Sequence, residues 1–229
     1  MHNFIFMNLI VLMSAVSVQA ESNKDTLIYV GDPMCSWCYG FSPEVDKLLQ
    51  LHPDMELKLI MGGLRYRGNE KMADLSDFLK EHWEEVAHRT GRAFKFDILK
   101  QQDLIYDTGP ACRAVVAASM VQPSLAWDFF KTLQSAFYHD NADPTSEETF
   151  IDIAQKCGMS PSEFRKAIQD TKSEDALLAQ LEWASANRIH GFPTVLYKSG
   201  SKIFLLSNGY TTAEIMDRKL NDLKILASR

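Results

Sequence analysis

Nothing in this sequence is long enough or apolar enough to read as a membrane span. Its longest apolar run, Phe4 to Val16, is about thirteen residues, against the roughly 20 a helix needs to cross a hydrocarbon core. Cysteine is scarce at four in 229 residues, too few for a fold built on disulfides. Zinc-ligand spacing is missing, because Cys35-x-x-Cys38 has no second C-x-x-C and no H-x-x-x-H to complete a site. Neither a Walker pattern nor G-x-G-x-x-G occurs, so a phosphate-cradling loop is not expected. Basic residues are in deficit. Lys and Arg number 24 against 30 Asp and Glu, a net charge of −6, and such a chain is a poor candidate for wrapping nucleic acid or coating an anionic membrane. What remains, 46% hydrophobic and 24% charged, is globular composition sufficient for one large domain or two small ones.

The apolar N-terminal run is followed by Val18-Gln19-Ala20 and the polar Glu21-Ser22-Asn23-Lys24. A short apolar core before a small-x-small site is the pattern of a cleaved signal peptide, here residues 1–20, although Met1-His2-Asn3 offers no Lys or Arg. Export predicts a periplasmic location, where thiols are paired, buried or used.

The β-branched run Thr26 to Gly31 predicts a buried strand ending at Asp32-Pro33. A helix is expected from Ser36 through Gln50, with Phe41, Val45, Leu48 and Leu49 on one stripe and a kink at Pro43. Met55 to Met61 alternates as a second strand, so the three elements form a right-handed βαβ unit. From Gly62 to His190 helical periodicity takes over, as in Met72, Leu75, Leu79, Trp83 and Val86. Strands return at Thr194 to Tyr197 and Lys202 to Ser207, a hairpin around Ser199-Gly200-Ser201, and Thr211 with Glu214 reads as a capping box opening a last helix. The fold class is thus α/β. Residues 21–62 and 189–229 make the two halves of one small sheet domain, and residues 63–188 form an all-helical insertion.

Cys35-Ser36-Trp37-Cys38 falls between the first strand and the first helix. The first turn of a helix has unpaired N–H groups and the positive end of the dipole, and both stabilise a thiolate. Cys35 is therefore expected as an exposed, low-pKa exchanging sulfur. Cys38, one turn inward, would resolve the mixed disulfide, with Ser36 and Trp37 modulating the pair.

With these residues in hand, Asp-Pro-Met-Cys-Ser-Trp-Cys-Tyr-Gly-Phe at 32–41, the helical block, and His-Gly-Phe-Pro-Thr at 190–194 resemble the DsbA-like branch of the thioredoxin superfamily, most of all its FrnE-type members. The resemblance implies a thioredoxin domain in two sequence segments, with Pro193 as a cis-proline facing the cysteines and Phe192 and Thr194 flanking a groove for an extended substrate peptide. It implies a protein thiol:disulfide oxidoreductase that needs no cofactor, acts on cysteines of exported proteins and relies on a redox partner to reset the pair. Two departures leave the direction of electron flow open. Ser36-Trp37 stands where strongly oxidising members carry Pro-His, and Tyr29 stands where members often place an acid six positions before the first cysteine. A disulfide isomerase or reductase working from the dithiol is the first alternative, and a non-catalytic peptide-binding or chaperone module is the second. A kappa-type glutathione transferase shares the helical insertion but typically has serine at the position of Cys35.

Cys157 shares the stripe Phe150, Ile153, Ala154 and is expected in the core, and Cys112 has apolar neighbours in Val115 and Val116. Two buried thiols are the primary expectation, with a mutual disulfide as the alternative. His190 is read as a loop residue, and Arg65-Tyr66-Arg67 as a solvated turn.

Overall fold

A computed structural model describes residues 24–228; the expected signal peptide lies outside the described residues. Strand β1 (Thr26–Gly31) is followed by helix α1 (Ser36–Leu51) and strand β2 (Glu56–Met61). Six helices come next: α2 (Met72–Thr90), α3 (Gly109–Val121), α4 (Ala126–Tyr138), α5 (Glu147–Lys156), α6 (Pro161–Gln169) and α7 (Thr171–Ala186). The chain then returns to β3 (Thr194–Ser199), β4 (Lys202–Asn208) and α8 (Ala213–Ala227).

The sheet runs β2-β1-β3-β4, with β1 and β2 parallel and the other pairs antiparallel. β1 is central, which is why it is apolar on both faces. Leu27 and Tyr29 join the main core with Val45 and Leu48 of α1 and Met216 and Leu220 of α8. Ile28 and Val30 point the other way, where Ile60, Leu196 and Ala184 of α7 cover them. The main core does not stop at the sheet. It continues through Trp83, Phe129, Phe137 and Phe164 of the helical block, so the helices and the sheet bury their apolar surface together.

Local chemistry accounts for most element ends. Ser160 caps α6 through its side chain, with Pro161 in the first turn, and Gly91 ends α2 in the left-handed region at φ 71°. Helix α1 runs unbroken through Pro43, whose missing N–H would orphan the Tyr39 carbonyl. The Ser42 hydroxyl donates to that carbonyl at 3.1 Å instead.

Two expectations fail here. The capping box at Thr211 and Glu214 does not form. Thr212 is the N-cap, Glu214 falls one position short of the box geometry, and the Ala213 N–H donates to Glu44 of α1 at 2.7 Å. Cys157 is half-buried rather than in the core, because it is the C-cap residue of α5 and leaves the stripe that buries Phe150, Ile153 and Ala154.

Candidate functional site

Cys35 is the N-cap of α1, with φ −92° and ψ 115°. No side chain caps the helix and no carboxylate sits in its first turn, so no side chain of that turn competes for its free amides. Three groups fix the loop that delivers Cys35. Its N–H donates to the Asp32 carbonyl at 3.1 Å, the Met34 N–H donates to the Asp32 carboxylate at 2.8 Å, and the Tyr106 hydroxyl donates to the Met34 carbonyl at 2.8 Å.

The structure brings the 190–194 segment onto the pair. The Phe192–Pro193 peptide is cis, and the Cys35 Sγ–H donates to the Phe192 carbonyl at 3.7 Å. Phe192 can lie here because residue 62 is glycine. A β-carbon on Gly62 would stand 2.2 Å from the Phe192 ring. Thr194 is turned inward, its hydroxyl donating to the Gly191 carbonyl at 2.8 Å. His190 is exposed in the loop.

Cys35 is not the exposed sulfur the sequence suggested. The residue is 5% exposed and Cys38 is fully buried. The cover comes from Phe192 on one side and the helical block on the other, around a cavity of about 390 Å³. Trp37, Leu64, Phe78 and Tyr106 are part of its apolar lining, and Arg65 and His82 are its charged and titratable groups. Phe78 and His82 stack at 5.7 Å, and His82 meets the Trp37 ring edge-on at 6.0 Å. Trp37 and Phe192 also line a second opening of about 340 Å³, with Glu85, Arg89 and Tyr210. The two rings thus form a ridge between an apolar chamber at Cys35 and a polar one beyond it.

Burial, then the neighbouring Cys35, pushes the Cys38 thiol well above the ordinary cysteine range. Burial likewise raises the Asp32 carboxyl, although four hydrogen bonds, from Thr108, Met34, Leu64 and Cys112, pull it down.

Several of these residues carried no signal as site residues. Residues 65–67 do lie in a turn with Arg67 exposed, but Arg65 and Tyr66 are half-buried; the Tyr66 hydroxyl donates to Glu174 at 2.7 Å, and the Arg65 guanidinium lies 5.8 Å from the Tyr106 ring centre. Phe78 and His82 are four apart on α2, one position off the core stripe, and an apolar residue beside a full stripe was the available hint. Cys112 and Cys157 do not bridge. Cys112 donates to Asp32 at 3.3 Å and Cys157 to the Thr132 hydroxyl at 3.6 Å, and all four cysteines are free. No cluster able to hold a metal ion occurs among the described residues.

The family model for the DSBA-like thioredoxin domain matches residues 26–215. The chain belongs to this family. Among solved structures, a candidate protein disulfide isomerase from Nitrosomonas europaea superimposes with a TM-score of 0.82 at 30% identity, over 89% of this chain and 98% of that one. The cytosolic disulfide reductase DsbM from Pseudomonas aeruginosa gives 0.74 at 20% identity, over 89% and 100%, and has also been solved with glutathione. The ClpXP adapter protein SpxH from Bacillus subtilis is 23% identical over 72% of this chain. The chain spans about half the length of these curated relatives, 56% in that case. This DSBA-like chain therefore shares with the family its thioredoxin sheet and the helices between β2 and β3.

Proposed function

We propose that the protein is a periplasmic thiol:disulfide oxidoreductase that exchanges disulfides with cysteines of exported proteins through Cys35 and Cys38. The observation that carries this reading is the placement of Cys35 at an uncapped helix N-terminus, against the carbonyl that precedes Pro193. In the oxidising direction a client thiolate attacks Cys35 of the Cys35–Cys38 disulfide, Cys38 leaves as a thiolate, and a mixed disulfide forms. A second client thiolate then displaces Cys35, so the client loses two electrons and two protons and the pair gains them. Ser36 and Trp37 shape the entrance, and Phe192 and Pro193 form the peptide-binding edge, with Thr194 holding that loop from the inside through the Gly191 carbonyl. A redox partner of the same thiol chemistry resets the pair. The amino-terminal apolar run and its small-x-small site support export, and no described helix is long and apolar enough to cross a membrane.

The reverse direction, a reductase or isomerase working from the dithiol, is favoured by one observation. The chamber at Cys35 is closed enough, and carries Arg65 and His82, to suit a small anionic thiol such as the glutathione held by the Pseudomonas aeruginosa reductase.

The test is mass spectrometry on protein mixed with a disulfide-linked peptide. Cys38→Ser accumulates a reductant-sensitive adduct at Cys35, whereas Cys35→Ser forms none and loses exchange. Retained exchange in Cys35→Ser overturns the proposal. Equilibration of the pair with glutathione sets the direction, a strongly reducing potential selecting the reductase reading.

A further inference from the structure

Tyr29 lies in the middle of β1 and is fully buried. Its ring is held by Phe41 at 6.3 Å, Trp127 at 5.2 Å and Phe130 at 5.6 Å between centroids. Its hydroxyl, by contrast, completes no hydrogen bond, an uncommon state for a polar atom so far from water. The aromatic cage explains why a large ring belongs here. It does not explain the oxygen, since phenylalanine would fill the same space without a desolvated hydroxyl.

What the ring approaches is Cys38. Tyr29 Cζ and Cys38 Sγ each lie 3.1 Å from the point where a β-carbon on Gly31 would stand, so glycine at 31 leaves the space that phenol and sulfur share. Burial, and next the Cys38 sulfur, keep the proton on the Tyr29 oxygen. The phenol is therefore a neutral donor throughout the working range of a thiol. Acting on Cys38, it is the foremost group that favours the thiolate, against burial and Cys35.

We propose that Tyr29 is a preorganised hydrogen-bond donor to Cys38 Sγ, idle against the neutral thiol and engaged when that sulfur becomes a thiolate. This rests on the exchange reading above. In the reducing half-reaction the Cys38 thiol gives up its proton, and its thiolate attacks Cys35 Sγ of the mixed disulfide. The Cys35–Cys38 bond forms, the bond from Cys35 to the client sulfur breaks, and the client thiolate leaves and takes up the proton. Tyr29 keeps its own proton and lowers the energy of the charged Cys38 before the attack, as a dipole set in advance does for developing charge. In the reverse direction it receives the same charge on Cys38 as the leaving group. A carboxylate in this place would repel that thiolate; a phenol does not.

The experiment follows the reduced protein reacting with excess symmetrical peptide disulfide, acid-quenched and resolved by mass. Attack by Cys35 and resolution by Cys38 appear as two successive steps. Tyr29→Phe, which keeps the ring packing, leaves the first step within twofold and slows the second by roughly tenfold or more, the scale expected for losing a bond to a charged sulfur. A merely structural role for the hydroxyl slows both steps together or neither, and either result overturns the inference. If Tyr29→Phe does not fold, fluorotyrosines at position 29 decide. Resolution that quickens as the phenol becomes a stronger donor supports the inference, and resolution that does not change overturns it. A wild-type protein that never forms the mixed disulfide overturns the exchange reading itself, a different outcome from normal attack with unaltered resolution.

Discussion

The thiol of Cys112 donates to the carboxylate of Asp32 at 3.3 Å, and both side chains are entirely shielded from water. The contact ties α3 to the loop that carries Cys35. The same carboxylate accepts from the backbone N–H of Met34 at 2.8 Å and of Leu64 at 2.7 Å, so one buried acid joins three segments of chain. Cys112→Ala removes a donor from a desolvated carboxylate and is expected to cost about 1–3 kcal/mol. Cys112→Ser keeps a donor and is expected to cost less. Urea unfolding of the two variants checks the order, and equal losses would show that packing, not the bond, is what matters.

The same acid makes stability depend on pH. Burial raises the Asp32 carboxyl above the ordinary aspartate value of 3.8 more than its hydrogen bonds lower it. Between the ordinary value and the raised one the folded chain binds more protons than the unfolded chain. This contribution is therefore fully present below the ordinary value and is lost as pH rises through the raised native one. Asp32→Asn removes that part of the slope. Its amide nitrogen also meets the Leu64 N–H, a penalty that does not vary with pH, so the variant gains relative to wild type as pH climbs from about 4. Parallel slopes in unfolding free energy against pH would contradict this.

Gly62 bears on the site through space alone, since the Phe192 ring occupies the volume of its missing side chain. Gly62→Ala pushes the ring off and disturbs the carbonyl that accepts from Cys35. Exchange with a peptide substrate is expected to fall about tenfold to a hundredfold, the upper figure being the effect of roughly a 1 Å misplacement at a reacting centre. Steady-state rates check it, with Phe192→Ala in the Gly62→Ala background showing no further loss if the two act through one contact.

Ser42 and Pro43 are coupled through the Tyr39 carbonyl. Ser42→Ala alone leaves that buried oxygen without a partner and is expected to cost about 1–2 kcal/mol. With Pro43→Ala, which restores the amide, the second loss is expected to shrink. A thermal double-mutant cycle measures the coupling, and additive losses would dismiss it.

The strands and α1 were legible because their signals are local. β1 is found at the expected residues, α1 extends one residue further to Leu51, and β2 begins one residue later at Glu56. The cysteine pair was legible from its position between strand and helix. The cover over Cys35 was not, because Phe78 and His82 reach it from α2 and Leu64 and Arg65 from the segment after β2, and no spacing in one stretch encodes a wall built from several. Helix α8 shows the same limit on a small scale. Where a local box at Thr211 and Glu214 was expected, Glu44, far away in the sequence, accepts from the first amide of the helix, the Ala213 N–H.

The sulfur of Cys35 and the carbonyl of Phe192 meet across a separation of 157 positions, with helices α1 to α7 between them in the chain. Strand β1 cannot take its antiparallel neighbour β3 until that whole stretch has been made, and closing so large a loop is a slow step in assembly. A nascent chain therefore carries both thiols, and the helical wall beside them, before it has the strand that sets Phe192 over Cys35. The carbonyl that meets Cys35 belongs to residue 192, so the Phe192 wall is the part of this site made last, after α1 and the helical block.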